Sequence, residues 1–269
     1  MRDYGVRPNK RLGQNFIIDR NIVDKIIKFS DLNDDDIALE IGAGVGNITA
    51  DLAGLAKKVI AVEFDKGFFK AASDLLRGYK NIELLCLDIL KFDIMQKAQK
   101  AKFKIVGNLP YCITTPVLEY IIKNKGCIKG ALLMVQREFG ERLLASPGSR
   151  LYGSITCYLN YHTGLKLKSI VRRNSFFPQP DVDSVLLYVK ILDTPSVFTH
   201  DEGLLFKVIR TAFGQRRKTL LSSLSHKNIL GLDRAGVSAV LSRADISPDR
   251  RPETLSLKEF AGIVNMFPG

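Results

Sequence analysis

The sequence predicts an α/β fold with a mostly parallel sheet, followed by a small C-terminal all-helical domain. Three observations predict it. Short apolar runs alternate with stretches of helical length through the first two-thirds of the chain. A glycine-rich turn directly follows the first of those runs. After Gly203 the helical period takes over.

The runs come in order. Ile37–Ile41 is compact, apolar and ends in glycines. Lys58–Glu63, Ile82–Leu87, Phe103–Val106 and Ala131–Val135 follow as further strands. Between them, Asn47–Ala56, Gly67–Arg77, Pro116–Lys123 and Arg137–Ala145 have helical length. Continuous apolar strands imply a sheet covered on both faces, with ligands at the carboxyl ends of its strands. Ser154–Tyr161 reads as a helix. Leu165–Val171 and Ser184–Ile191 read as a strand pair that closes the sheet, around the loop Phe176-Phe-Pro-Gln-Pro180. Asp193-Thr-Pro195 is a linker, so the expected domains are 1–192 and 196–269.

Composition narrows the function. The 269 residues carry a net charge of +12. Acid is absent from Arg142 to Pro180 and from Gly203 to Leu232, while cations recur in both tracts. A solvated helix face explains either tract alone; together they point to a polyanionic partner. Cys86, Cys112, Cys127 and Cys157 are widely spaced, which argues against a metal site and a disulfide framework and suits a reducing cytoplasm. No apolar run has the length of a membrane span.

The strongest local signal is Glu40-Ile-Gly-Ala-Gly-Val-Gly46, between a strand and a helix. Its glycines permit a sharp turn and close approach of a ligand. The spacing G-x-G-x-G is one residue tighter than the dinucleotide fingerprint, so an adenosyl ligand without phosphates fits better than a pyrophosphate. Gly42 and Gly44 are the cradle, and Glu40 is expected at the ligand's amino-acid end. Glu63, about 20 residues beyond Gly42, suits ribose hydroxyls. Asp88 either accepts from an adenine amine or caps a helical turn.

The fourth strand ends in Asn108-Leu-Pro-Tyr111. An adenine amine is a poor nucleophile because its lone pair is delocalised into the ring. Two acceptors, the Asn108 side-chain oxygen and the Leu109 carbonyl, would favour a pyramidal nitrogen with its lone pair free. Pro110 fixes the backbone and Tyr111 stacks on the base. Phe177 is either the second aromatic wall of an extruded base or a loop anchor. The three histidines have no G-x-S-x-G partner, and there is no P-loop.

In this order the motifs resemble those of the ribosomal RNA adenine dimethyltransferases, over nearly the whole chain. Lys10–Phe16 resembles that family's N-terminal cofactor motif. Phe177-Pro-Gln-Pro-Asp-Val-Asp-Ser184 resembles its F-x-P-x-P-x-V-x-S signature, and Ala212–Leu220 its basic C-terminal motif. The resemblance implies a Rossmann-like class I methyltransferase domain and S-adenosylmethionine as cofactor. It implies cofactor contacts from Asn15, Ile17, Gly42, Glu63, Asp88 and Asn108. Position 17 is Ile where the family more often has Leu, a change that a backbone contact survives. It also implies dimethylation of two adjacent adenines in the 3′-terminal hairpin of small-subunit rRNA, within an assembling ribosomal particle. Arg216, Arg217 and Lys218 are the expected phosphate contacts. The expected protein is a cytoplasmic monomer with no membrane partner. Two alternatives share the fold: a large-subunit rRNA adenine methylase of macrolide-resistance type, and a non-catalytic ribosome-assembly factor. The ending Val182-Asp-Ser184 and the run Gln215-Arg-Arg-Lys218 favour the small-subunit enzyme over the first. The intact glycine turn and Asn108–Tyr111 argue against the second, and the glycine spacing argues against a nicotinamide oxidoreductase.

Overall fold

A computed structural model describes residue 8 and residues 13–98, 101–110, 113–228 and 230–267. Lys10, Arg11, Leu12, Tyr111 and Cys112, singled out above, lie outside these residues. The chain divides into two compact units, one of residues Met1–Gly140 and Leu165–Ile191, the other of Glu141–Gly164 and Leu192–Gly269.

The first unit opens with β1 (Phe16–Ile17) and α1 (Arg20–Ser30). The Asp19 carboxylate accepts from the Asn21 N–H at 3.0 Å and so satisfies one open donor of the first turn of α1. Ile22, Val23 and Ile26 give α1 its buried face, and the helix stops at Asp31, whose φ is 53°. Strands and helices then alternate: β2 (Ile37–Ile41), α2 (Asn47–Ala53), β3 (Lys58–Glu63), α3 (Lys66–Leu75), β4 (Ile82–Cys86), α4 (Ile94–Ala98), β5 (Phe103–Asn108), α5 (Thr114–Lys123) and β6 (Ile128–Gln136). After α6 (Arg137–Leu143) and α7 (Ser154–His162), β7 (Thr163–Val171), β8 (Phe176–Phe177) and β9 (Ser184–Ile191) complete the strands.

The main sheet has the order β4-β3-β2-β5-β6-β9-β7. Its first five strands are parallel, and β9 runs antiparallel to β6. Ala38, Leu39, Val59, Ile60 and Ala61 are buried at consecutive positions, as a sheet covered on both faces requires. The expected closing pair is present, with β9 inside and β7 at the edge. A second, two-stranded sheet joins β1 to β8, with Phe16 opposite Phe177 and Ile17 opposite Phe176.

The second unit is helical, with α8 (Glu202–Phe213), α9 (Leu220–Leu224), α10 (Arg234–Arg243) and α11 (Leu257–Asn265). Asp201, Thr219, Asp233 and Ser256 each accept a backbone N–H at one of these helix starts. Residues 141–164 belong to this unit, which corrects the expectation of an unbroken first domain ending at residue 192. The reason is packing: Tyr152, Cys157 and Tyr161 share one apolar core with Leu205, Phe206, Ile209 and Phe260.

At the amino ends of the central strands, one carboxylate ties three of them together. Asp36 precedes β2, has a side chain 0 % exposed, and meets Lys104 of β5 at 2.9 Å and Lys129 of β6 at 2.7 Å. Burial pushes its carboxyl up, but hydrogen bonds from Lys129, Lys104 and the Asn33 backbone outweigh it, and the net shift is downward. A lowered carboxyl stabilises above the unfolded pKa and loses that contribution as pH falls through the folded one. Asp36→Asn is therefore expected to lose about 3 kcal/mol at pH 7, the scale of a broken buried pair. The deficit should begin to shrink below about pH 4, where the carboxyl of the unfolded chain takes up a proton, and close only below the lowered native value. Urea melts at pH 7 and pH 3.5 check both statements.

Candidate active site

The register of the parallel strands decides which residues meet. Ile41 lies beside Val62 on one side and Gly107 on the other, and Glu63 lies beside Cys86. The residues at these strand ends, Gly42, Glu63, Leu87, Asp88 and Asn108, therefore share one edge of the sheet. They line a cavity of about 290 Å³ with Gly13, Asn15, Phe16, Gly44, Phe64, Phe68, Pro110 and Ile113 among its other walls.

The glycine turn is shaped by a ring. Gly44 has φ +58°, and a Cβ built on it would stand 2.7 Å from the Phe16 ring. Both facts select glycine. The Phe16 ring also packs on Phe68, with centroids 4.6 Å apart. The Gly44 N–H donates to Glu63 Oε2 at 2.8 Å, and the Asp65 N–H donates to Oε1 at 2.8 Å. Burial raises the Glu63 carboxyl, and those amide bonds pull against it. Each Glu63 oxygen keeps a further lone pair, so a vicinal diol fits this carboxylate. Asp88 uses Oδ1 to accept from the Leu90 N–H at 3.0 Å, so it caps a short 3-10 turn and lines the cavity as well.

Asn108 is held from behind. Its Nδ2 donates to the Asn15 carbonyl at 2.8 Å. With the amide nitrogen so engaged, the side-chain oxygen remains as its acceptor. The Pro110 carbonyl accepts from the Ile113 N–H at 3.1 Å and from Thr114 Oγ1 at 3.3 Å.

The structure thus brings Asn15, Gly42, Gly44, Glu63, Asp88, Asn108 and Pro110 to one cavity, and leaves four expected residues off it. The Ile17 side chain belongs to a buried apolar cluster with Ile22, Val171 and Phe176 and does not line the cavity. Glu40 is 2 % exposed and accepts from Thr49 Oγ1 at 2.5 Å, so its carboxyl faces α2 and not a ligand's amino-acid end. Leu109 is buried, and its N–H donates to the Met134 carbonyl. Phe177 is 54 % exposed on β8, outside the cavity, directly opposite Phe16 in the ribbon. In the second unit, Arg216 Nη2 donates to the Arg150 carbonyl at 2.8 Å and to the Tyr152 carbonyl at 3.0 Å, while Arg217 and Lys218 are exposed. Part of the Arg216 guanidinium is thereby committed within its own unit.

Of the aromatic walls, Phe16 closes the motif Lys10–Phe16, whereas Phe64 and Phe68 fall in no motif. Phe64 directly follows Glu63 and Phe16 directly follows Asn15, so adjacency to the expected polar residues is the available signal. Phe68 carries no such mark. Among the described residues no His, Cys, Asp and Glu cluster fits a metal.

Comparison with known proteins places the chain in a family. The ribosomal RNA adenine dimethylase family matches residues 5–267. The ribosomal RNA small subunit methyltransferase A of Pelotomaculum thermopropionicum is 42% identical, over 99% of this chain and 94% of that protein. A Geobacillus protein of the same name is 39% identical, over 97% and 92%. A dimethyladenosine transferase from Plasmodium falciparum superposes with a TM-score of 0.80 at 28% identity, covering 92% of this chain and 95% of that one. The 23S rRNA methyltransferase ErmE shares the fold, with a TM-score of 0.69 at 24% identity, covering 93% and 98%.

Glu40 provides a test that needs no ligand. Burial raises its carboxyl to about 8, opposed by the Thr49 bond and aided by the Glu63 charge. Between the unfolded value near 4.5 and the folded value near 8, the native state holds a proton that the unfolded chain has released. Stability should therefore fall as pH rises across that window. Glu40→Gln should flatten the decline, read from urea midpoints at pH 5 and pH 8; equal declines would refute the assignment.

Proposed function

The chain belongs to the ribosomal RNA adenine dimethylase family, and on that premise we propose that it dimethylates the N6 amines of two adjacent adenines in the 3′-terminal hairpin of small-subunit rRNA. The methyl donor is S-adenosylmethionine, bound in the cavity at the strand ends. The enzyme acts as a cytoplasmic monomer on an assembling small-subunit particle. No helix among the described residues is long and apolar enough to cross a membrane.

The cavity suits an adenosyl group. Its volume of about 290 Å³ is near the lower end of small-molecule sites. Glu63 offers lone pairs to a ribose diol, and Asp88 keeps an oxygen for the exocyclic amine of the cofactor's adenine. Gly42 and Gly44 let the backbone approach closely, and Phe16, Phe64 and Phe68 supply apolar walls. When bound, S-adenosylmethionine supplies an electrophilic methyl group on a sulfonium sulfur.

The single observation that carries the catalytic reading is the Asn108–Asn15 hydrogen bond. It commits the amide nitrogen of Asn108 and reserves the oxygen for one N–H of the substrate amine. A main-chain carbonyl takes the other N–H. The Pro110 carbonyl is already engaged by Ile113 and Thr114, so Leu109 is our choice for that acceptor. Two acceptors on one amine draw its lone pair out of conjugation with the ring and aim it. A strong base is not needed before attack, because the methylated cation is acidic. Tyr111 and Phe177 are the residues we assign to stacking on the base. Arg217 and Lys218 contact phosphate, and Arg216 serves partly as a staple for the backbone at Arg150 and Tyr152.

Asn108→Ala is expected to keep cofactor affinity while methyl transfer falls by about 100-fold or more, as for loss of a transition-state acceptor. Labelled cofactor with small subunits lacking these methyl groups, and large-subunit RNA run beside them, measures this. Label found only in large-subunit RNA would reject the proposed substrate. Arg217→Gln with Lys218→Gln should weaken RNA binding and lower its salt slope by about two units, near 0.9 for each phosphate no longer neutralised. An unchanged slope would return these residues to an ordinary solvated surface.

A further inference from the structure

Phe16 meets, directly or through Asn15, four groups of the proposed reaction: Gly44, Phe68, Asn108 and Phe177. Its ring lies beneath Gly44, where any Cβ would collide with it, and against Phe68. The carbonyl just before it, on Asn15, holds the Asn108 amide. Its own backbone pairs with Phe177, the exposed aromatic proposed for the base pocket. The ribbon continues past it: the Ile18 N–H donates to the Ser175 carbonyl at 2.9 Å, and Ser175 Oγ donates to Asp19 Oδ2 at 3.2 Å. One short strap therefore runs from the cofactor cavity to both substrate-facing groups, and the large side chain it places in the cavity is that of Phe16.

We infer that Phe16 is a positioning residue that links occupancy of the cofactor cavity to the placement of Asn108 and Phe177. This inference rests on the function proposed above. A ligand filling the cavity meets the Phe16 ring, which packs against Gly44 and Phe68 in the same wall. The ring is carried by the main chain that Asn15 and Phe16 share, so a shift of the ring is passed to the Asn15 carbonyl. That main chain in turn orients the Asn108 amide and carries β8. The chain thus presents its amine acceptor and its base-stacking ring in register with a filled donor site.

Two measurements test this on the full-length chain. The first compares Phe16→Ala and Phe16→Leu. At saturating cofactor and RNA, Phe16→Ala should lower kcat by tenfold or more (~1.4 kcal/mol), while the cofactor Kd rises by a smaller factor. Phe16→Leu, which refills the space beneath Gly44, should recover most of the turnover, and it carries the test if the alanine variant does not fold. A change in Kd with kcat intact would make Phe16 a mere wall and overturn the inference. The second uses a reporter. The sequence contains no tryptophan, so Phe177→Trp introduces a single indole on β8. Saturation with S-adenosylhomocysteine should shift its emission, and adding Phe16→Ala should at least halve that shift once saturation is again reached. An indole that ignores the ligand, or a shift that survives Phe16→Ala, overturns the inference. Absence of methyl transfer by the unmodified chain would instead overturn the functional reading and the inference with it.

Discussion

The glycine turn, Glu63 and Asn108 at the candidate site depend on the hydrogen-bonded register of the parallel strands. In such a sheet all carboxyl ends emerge on one edge, and a slip of one residue would send each side chain to the opposite face. The pairing of Ile41 with Val62 and Gly107 is what sets the glycine turn, Glu63 and Asn108 beside one another. The sheet is also closed to water on both faces, so polar groups near its ends must find partners inside the protein. At the amino ends Asp36 finds Lys104 and Lys129. At the carboxyl ends Glu63 finds two backbone amides, one of them from the glycine turn itself. The glycine turn and the acid beside it are therefore one assembly and not two neighbouring motifs.

Glu40 and Glu63 illustrate how the same residue type is divided between tasks. Glu40 turns inward to Thr49 and is fully enclosed. Glu63 is at the strand's last position, where the chain opens into the cavity. Alternation along a strand and distance from its end separate a carboxyl turned to α2 from one that lines the cavity.

Much of this is legible in the sequence, for physical reasons that differ by element. Ile37–Ile41, Lys58–Glu63 and Ser184–Ile191 are bounded in the structure where their apolar runs are bounded by glycine, acid or serine. Helix α1 is absent from the sequence reading although Asp19 and the spacing of Ile22, Val23 and Ile26 announce it. The β1–β8 ribbon is unreadable there, because two-residue strands show no periodicity and their pairing bridges distant parts of the chain. At the site, Gly42, Glu63, Asp88 and Asn108 are readable because they lie at or just beyond strand ends, and Gly44 because it belongs to the glycine spacing that follows β2. The inward turn of Glu40 and the carbonyl bonds of Arg216 are not, since motif spacing does not say which way a side chain points.

The grouping of residues 141–164 with 192–269 has a consequence for modularity. The helical unit is written in two separated stretches of the gene, so it cannot be gained, lost or exchanged by recombination at one junction. A fragment ending near residue 192 would keep Tyr152, Cys157 and Tyr161 but strip away the helices that cover them. It would present a raw apolar surface to solvent, an aggregation hazard. Lineages descending from such a chain are therefore constrained to evolve the two units together, by point substitution and not by shuffling a terminal cassette.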